Sequence, residues 1–134
     1  MSHRFSFRIY YEDTDHSGLV YHANYLKYFE RAREHVLGAD ELVRLYRDEG
    51  IGFVVYKAEL SFREGARFGD ELEVRTTVRL ESEYRAVFHQ AVWRPDGKQA
   101  MVDGQVQLVC VDRHNKLVRL PSGVADSAKA TVSG

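Results

Sequence analysis

The chain is poor in the features that would place it outside ordinary globular chemistry. Its one cysteine, Cys110, has no intrachain partner for a disulfide. No apolar run approaches the ~20 residues that a membrane-spanning helix needs. The segment MSHRFSFRIYYED has no contiguous apolar stretch of the kind a secretion signal carries, so the expected compartment is the cytoplasm. Nor is there an excess of either charge: 19 basic and 20 acidic side chains leave a net charge of -1, which gives nucleic acid or an anionic membrane no bulk field to follow. Repeats, linkers and low-complexity tracts are also missing. What is present is 134 residues, 44% of them hydrophobic and 12% aromatic, with only two prolines. That suits one domain around one core. We expect it over residues 1–120, followed by a flexible, Ser/Ala-rich tail over 121–134.

Along the chain the hydrophobic period changes twice. Phe5, Phe7, Ile9 and Tyr11 alternate with Arg4, Ser6, Arg8 and Tyr10, which predicts a half-buried strand over residues 4–11. Asp13, Asp15, Ser17 and Gly18 then break the pattern with turn formers. From about Tyr21 the apolar positions Tyr25, Phe29, Ala32 and Val36 fall at helical spacing, and Gly38 is a suitable stop. A shorter helical piece, ADELVRLYRDEG, follows. The second half holds four β-type segments, Gly52 to Arg63, Glu71 to Glu81, Tyr84 to Arg94 and Gln99 to Asp112, expected to pair as a meander. The fold class is therefore α+β, with a long helix on one face of a curved antiparallel sheet. One helix leaves sheet surface uncovered, so self-association is part of the expectation.

The chemistry concentrates in Arg8 to Glu34, RIYYEDTDHSGLVYHANYLKYFERARE. If a helix begins near Tyr21 or His22, Asp15 can fold back toward its first amides, which no Ser, Thr or Asp directly before Tyr21 caps. Free amides at the positive end of a helix dipole suit an oxyanion that develops during acyl transfer. A carboxylate beside them stays ionised and can attack or orient water. As a weak base it fits a thioester better than an amide. Plainer roles compete: Asp13 and Asp15 as turn formers, His22 as a packing residue, and Tyr25, Tyr28 and Phe29 as core. The spacing of Asp13, Asp15, His16 and His22 matches no strong zinc pattern, so no metal is expected. Cys110, inside QLVCVD, is most simply a small buried hydrophobe.

These residues carry a resemblance. The run Glu12-Asp13-Thr14-Asp15 after Arg8-Ile9, then Gly18, Leu19-Val20-Tyr21-His22 and Asn24-Tyr25, resembles the signature of the 4-hydroxybenzoyl-CoA thioesterase family of hotdog-fold proteins. The branch it is most similar to is the one associated with the Tol-Pal envelope system. Weaker similarity continues through YKAELSFREGARFGDELEVRTTV to about Leu120. The resemblance implies a hotdog fold, a long central helix wrapped by a curved five-stranded antiparallel sheet, paired into a homodimer or homotetramer. It implies an acyl-CoA thioesterase whose catalytic aspartate is Asp15, with the carbonyl-polarising amide at or next to His22 and the His22 side chain as a second candidate. Gly18, Tyr21 and Tyr25 are candidates for contact with the substrate. Lys57, Arg63, Arg67 and Arg85 are the candidate cations for the phosphates of coenzyme A, which is part of the substrate; no separate cofactor is implied.

The chain departs from the family in two places. Gly65 stands where many relatives carry a proline, and LESEYR replaces a basic cluster that some members place before the fourth strand, leaving Arg85 as the main cation there. A competing function is a non-catalytic module that binds acyl-CoA or acyl carrier protein. A hotdog dehydratase would need a differently placed His and acid pair than His35 and Glu34 offer.

Overall fold

The computed structural model describes residues 2–131. Strand β1 (His3–Arg8) opens the chain and β2 (Gly52–Phe62), β3 (Glu71–Leu80), β4 (Arg85–Trp93) and β5 (Val102–Val111) supply the other long strands, with a two-residue β6 (Leu117–Val118). The long helix α1 (Asn24–Leu37) is followed by α2 (Ala39–Arg44), which runs on into a π-helical turn at Leu45–Glu49, and α3 (Ser122–Ala130) closes the chain. All strand pairs are antiparallel, in the order β1-β3-β4-β5-β2, with β6 on β5. This is the α+β plan expected, a helix against a curved antiparallel sheet.

The meander holds only for β3, β4 and β5. Strand β2 does not pair with β3; it lies at the opposite edge, on β5. Alternation fixes which face of a strand is buried and carries no information about its neighbour. The consequence is that residues 63–70 must cross the end of the sheet to reach β3. Arg63 and Glu64 N–H both donate to the Met101 carbonyl, and Ile9 N–H donates to Asp70 O at 2.9 Å. That crossing lies over the start of α1 and forms one side of the site described below.

The core sits between α1 and the concave face of the sheet. Tyr25, Tyr28, Phe29 and Ala32 of α1 meet Leu72, Val74, Val78, Phe88, Val92, Val102 and Val106. The helix approaches β5 closely at Gly104, where a Cβ would come within 2.8 Å of Glu59 O and 3.2 Å of Phe29 Cε2. The polar exception is Arg33, which is buried although the helical stripe did not include it. Its Nη1 donates to Gln90 Oε1 at 3.0 Å, while Gln90 Nε2 donates to Phe29 O at 2.9 Å and Thr76 Oγ1 at 3.2 Å. Gln90 therefore fixes the rotation of α1 on the sheet through groups that would be costly to bury unpaired. Burial pushes the Cys110 thiol up to about 12, so it stays protonated, consistent with a packing role.

Two boundaries differ from expectation. β1 ends at Arg8, and Tyr11 starts a 3-10 turn (Tyr11–Asp13) with its ring in solvent instead of on the core side. The flexible tail expected over 121–134 is overturned through residue 131. Ser122–Ala130 is helical, Val124 is buried, and Thr131 Oγ1 accepts the Val78 N–H at 2.9 Å. β1 pairs β3 only as far as Thr76, so Val78 has an edge amide that needs an acceptor, and the end of α3 provides it. Residues 132–134 of that expected tail lie outside the described residues. No helix among the described residues is long and apolar enough to cross a membrane.

Candidate active site

The loop between β1 and α1 is a set of turns held from both sides. Asp13 Oδ2 accepts Tyr10 N–H at 2.8 Å, and the Asp13 carbonyl accepts Tyr21 N–H at 3.0 Å and Asn24 Nδ2 at 2.9 Å. Asp13 is thus the turn former of the acidic run, and Asn24 ties the first residue of α1 to it. On the far side Val20 N–H donates to Ala66 O at 2.9 Å, and Ala66 N–H donates to the Tyr25 hydroxyl at 3.2 Å, so the loop, the helix start and the 63–70 crossing are one hydrogen-bonded unit.

Within it Asp15 begins a tight turn. Its N–H donates to Leu19 O at 2.8 Å and its carbonyl accepts Gly18 N–H at 3.1 Å. Gly18 sits at φ +83, a conformation that side chains resist, which explains glycine there. The carboxylate is asymmetric. Both the N–H (2.8 Å) and the hydroxyl of Ser17 donate to Oδ1, and Oδ2 accepts nothing among the described residues. The Ser17 hydroxyl, followed by the Ser17 N–H, holds the Asp15 carboxyl below the usual carboxylate range. One oxygen is anchored and the other is free and anionic.

The helix begins later than Tyr21 or His22, at Asn24. The amides of Asn24, Tyr25 and Leu26 are taken by the carbonyls of Tyr21, His22 and Ala23 at 2.9, 3.4 and 3.3 Å, a 3-10 first turn. This leaves the N–H groups of His22 and Ala23 without an acceptor among the described residues. They are the free donors at the positive end of α1.

Asp15, His22, Tyr25 and Arg63 share one cleft of about 290 Å³, with Leu19, Val20, Phe62, Glu64 and Gly65. Tyr25 forms its buried wall, and the Tyr21 ring lies 4.6 Å from the His22 ring at the rim. Gly65 is packed against Leu19, whose Cδ2 would lie 3.1 Å from a Cβ at that position. Other expected contacts are elsewhere on the chain. Gly18 acts through the turn and does not line the cleft. Lys57 pairs with Glu59 at 3.1 Å on β2; Arg85 lies on β4 against the Tyr56 ring at 5.9 Å. Arg67 is beside Leu19, bridged to it as an isolated β pair. From the sequence Ser17 is only a turn former, with no part in holding the Asp15 carboxylate; the serine two residues after Asp15 is the signal that an Asx turn would have provided.

The asymmetry predicts a pH profile. An ionised Asp15 is present above its pKa and lost as pH falls through it, and Ser17 lowers that pKa. Ser17→Ala, which keeps the backbone donor, therefore moves the acid limb of kcat/KM upward, toward an ordinary aspartate. A limb that stays where it is in wild type contradicts the role given to Ser17.

The arrangement puts a carboxylate and His22 on one small cleft, at a helix start whose His22 and Ala23 N–H groups have no acceptor among the described residues, and such a set can add a nucleophile to a carbonyl. Comparison with known proteins identifies the family and leaves the roles of these residues aside. The family described as the thioesterase-like superfamily matches residues 10–127. The acyl-CoA thioester hydrolase YbgC of Escherichia coli is 34% identical over 110 residues, covering 81% of each chain. The acyl-CoA thioesterase YbgC of Helicobacter pylori is 44% identical over 81 residues, covering 60% of this chain and 57% of its own. Among solved structures, the 1,4-dihydroxy-2-naphthoyl-CoA thioesterase of Synechocystis superposes with a TM-score of 0.88 over 100% of both chains at 21% identity, a likeness of fold. The chain therefore belongs to the thioesterase-like superfamily and is a hotdog-fold thioester hydrolase.

Proposed function

We propose that the chain hydrolyses acyl-CoA thioesters, with Asp15 and the His22 and Ala23 amides as the reacting machinery. The observation that carries this is the free Asp15 Oδ2 sharing a cleft with His22, next to two N–H groups that have no acceptor among the described residues. The thioester carbonyl oxygen sits against the two N–H groups, and Oδ2 faces the carbonyl carbon. Either Oδ2 adds to that carbon, or it takes a proton from a water that adds. The carbonyl π electrons move to the oxygen held by the amides. The C–S bond then breaks, and the thiolate of coenzyme A leaves and is protonated. In the first course an acyl-aspartyl anhydride forms, and water hydrolyses it to the free acid. The His22 side chain, on the rim, contacts the substrate, and Tyr25 walls the cleft. Arg63, whose pairing with Asp103 is loose at 3.7 Å, is the cation that lines the cleft.

The protein acts as a homodimer, or as a pair of dimers. Strand β2 has a free edge of 11 residues with Val54, Val55 and Tyr56 exposed along it. Phe62, exposed at the end of the same strand, also lines the cleft, so a second copy on β2 would shape the acyl pocket.

The test is release of free thiol from a panel of short-chain, long-chain and aromatic acyl-CoAs. Turnover of at least one is expected. A protein that retains labelled acyl-CoA in equilibrium dialysis and releases thiol from none is a binding module and contradicts the proposal.

A further inference from the structure

The cleft at Asp15 accounts for the acyl end of a thioester and leaves the thiol carrier unaddressed. Beside it, on the same two loops, is an unexplained pair of aromatic rings. Tyr11 is 78% exposed and Phe68 60% exposed, yet their rings are in edge-to-face contact, with centroids 5.5 Å apart and planes at 68°. Neither ring helps the core. Both are held in place by backbone. The Tyr11 carbonyl accepts Thr14 N–H at 3.1 Å and Thr14 Oγ1 at 2.8 Å, and Phe68 precedes Gly69, whose N–H donates to Ile9 O at 3.0 Å. Arg67 N–H is also fixed, on Asp70 Oδ2 at 2.9 Å. Two large rings fixed at an angle in water make a corner, with one face for stacking and one edge to close the side.

The surrounding charges favour an anion that carries a flat ring. Arg67, adjacent to Phe68, makes no ion pair among the described residues; Arg8 makes none either, and its guanidinium lies over the Tyr10 ring at 4.7 Å. Three nearby carboxylates are occupied: Asp70 and Glu64 each pair with Arg94 at 3.3 Å, and Asp13 accepts Tyr10 N–H. Glu12, and Glu71 opposite Arg8 on β3, make no ion pair among the described residues. Tyr11 is four residues from Asp15, so their Cα atoms are at most about 15 Å apart. That is within the span of an extended pantetheine arm.

Resting on the acyl-CoA reading above, we propose that Tyr11 and Phe68 hold the adenine of coenzyme A, with Arg67 and Arg8 taking its phosphates. The protein then selects free coenzyme A over a carrier that lacks the nucleotide. The same corner explains why Tyr11, alternating with the core residues of the first strand, is turned outward.

The experiment compares the Tyr11→Ala/Phe68→Ala double variant with wild type on one acyl group carried by coenzyme A or by pantetheine alone. Binding of free coenzyme A is followed separately by calorimetry. The expected result is a kcat/KM for acyl-CoA lower by about 10- to 100-fold, mostly in KM, with the pantetheine thioester unaffected and coenzyme A affinity falling in parallel. Arg67→Gln should weaken coenzyme A binding in a salt-sensitive way. Equal losses on both thioesters overturn the proposal, as does an unchanged coenzyme A affinity. A change of mass in light scattering would give the corner to a subunit contact and overturn it too. Binding is read without turnover, so the two readings fail separately. A wild-type protein that binds coenzyme A through the corner and releases no thiol refutes only the hydrolase reading.

Discussion

Asp15→Asn lowers kcat for acyl-CoA hydrolysis by about 10²–10⁴-fold, the range expected when a group that attacks or moves a proton is lost. The substitution isolates charge from structure. An asparagine oxygen still accepts the Ser17 N–H and hydroxyl, and the backbone bonds to Leu19 and Gly18 do not involve the side chain, so the turn persists. The thermal midpoint should therefore match wild type, because the side chain is exposed and supports no core contact. Thiol release and thermal unfolding on the same preparation separate the two effects. Near-normal turnover of every acyl-CoA that the wild type hydrolyses would remove Asp15 from the mechanism.

Ala23→Pro has the second largest expected effect, a loss of about 10²–10³-fold in kcat, the magnitude for removing one donor from an oxyanion site. Ala23 has φ -67 and ψ -21, already at proline's φ, and its N–H makes no hydrogen bond among the described residues. It precedes the first residue of α1, where proline is tolerated. The ring also pushes His22 toward extended backbone. An ester in place of the His22–Ala23 peptide is the control, since it deletes the same N–H without a ring. His22→Ala keeps both amides and should cost far less than either. A larger loss from His22→Ala than from Ala23→Pro would move the catalytic role from the backbone to the imidazole.

Much of this was legible in the sequence because it is local. Helical spacing of Tyr25, Phe29 and Ala32 gave the buried face of α1, and the Asp-rich turn before it located the carboxylate. The parts that were not legible depend on distant segments. Arg33 is buried because Gln90, 57 residues away, supplies an acceptor, and no periodicity reports such a partner. Strand β2 reads as a β-type segment rich in Val and aromatic residues, which names no neighbour, so its place at the far edge, and the 63–70 crossing that builds one side of the cleft, follow only from pairing. The start of α1 moved from Tyr21 to Asn24 because the 3-10 turn and the Asn24–Asp13 bond decide where the helix begins. That shift changes which amides are free. The tail was misread for the same reason. SGVADSAKA is short and weakly apolar, and what orders it is Val124 in the core and the unpaired Val78 amide.

If two backbone amides polarise the acyl carbonyl while Asp15 faces it, the vibration of the carbonyl itself reports it most directly. In isotope-edited infrared difference spectra, a ¹³C=O-labelled acyl-CoA bound to the Asp15→Asn protein remains intact long enough to observe. The thioester C=O stretch is expected to move to lower frequency on binding and to return toward its solution value when Ala23→Pro is added. A bound carbonyl at its solution frequency, or a shift that survives loss of the Ala23 N–H and disappears with His22→Ala, would contradict it.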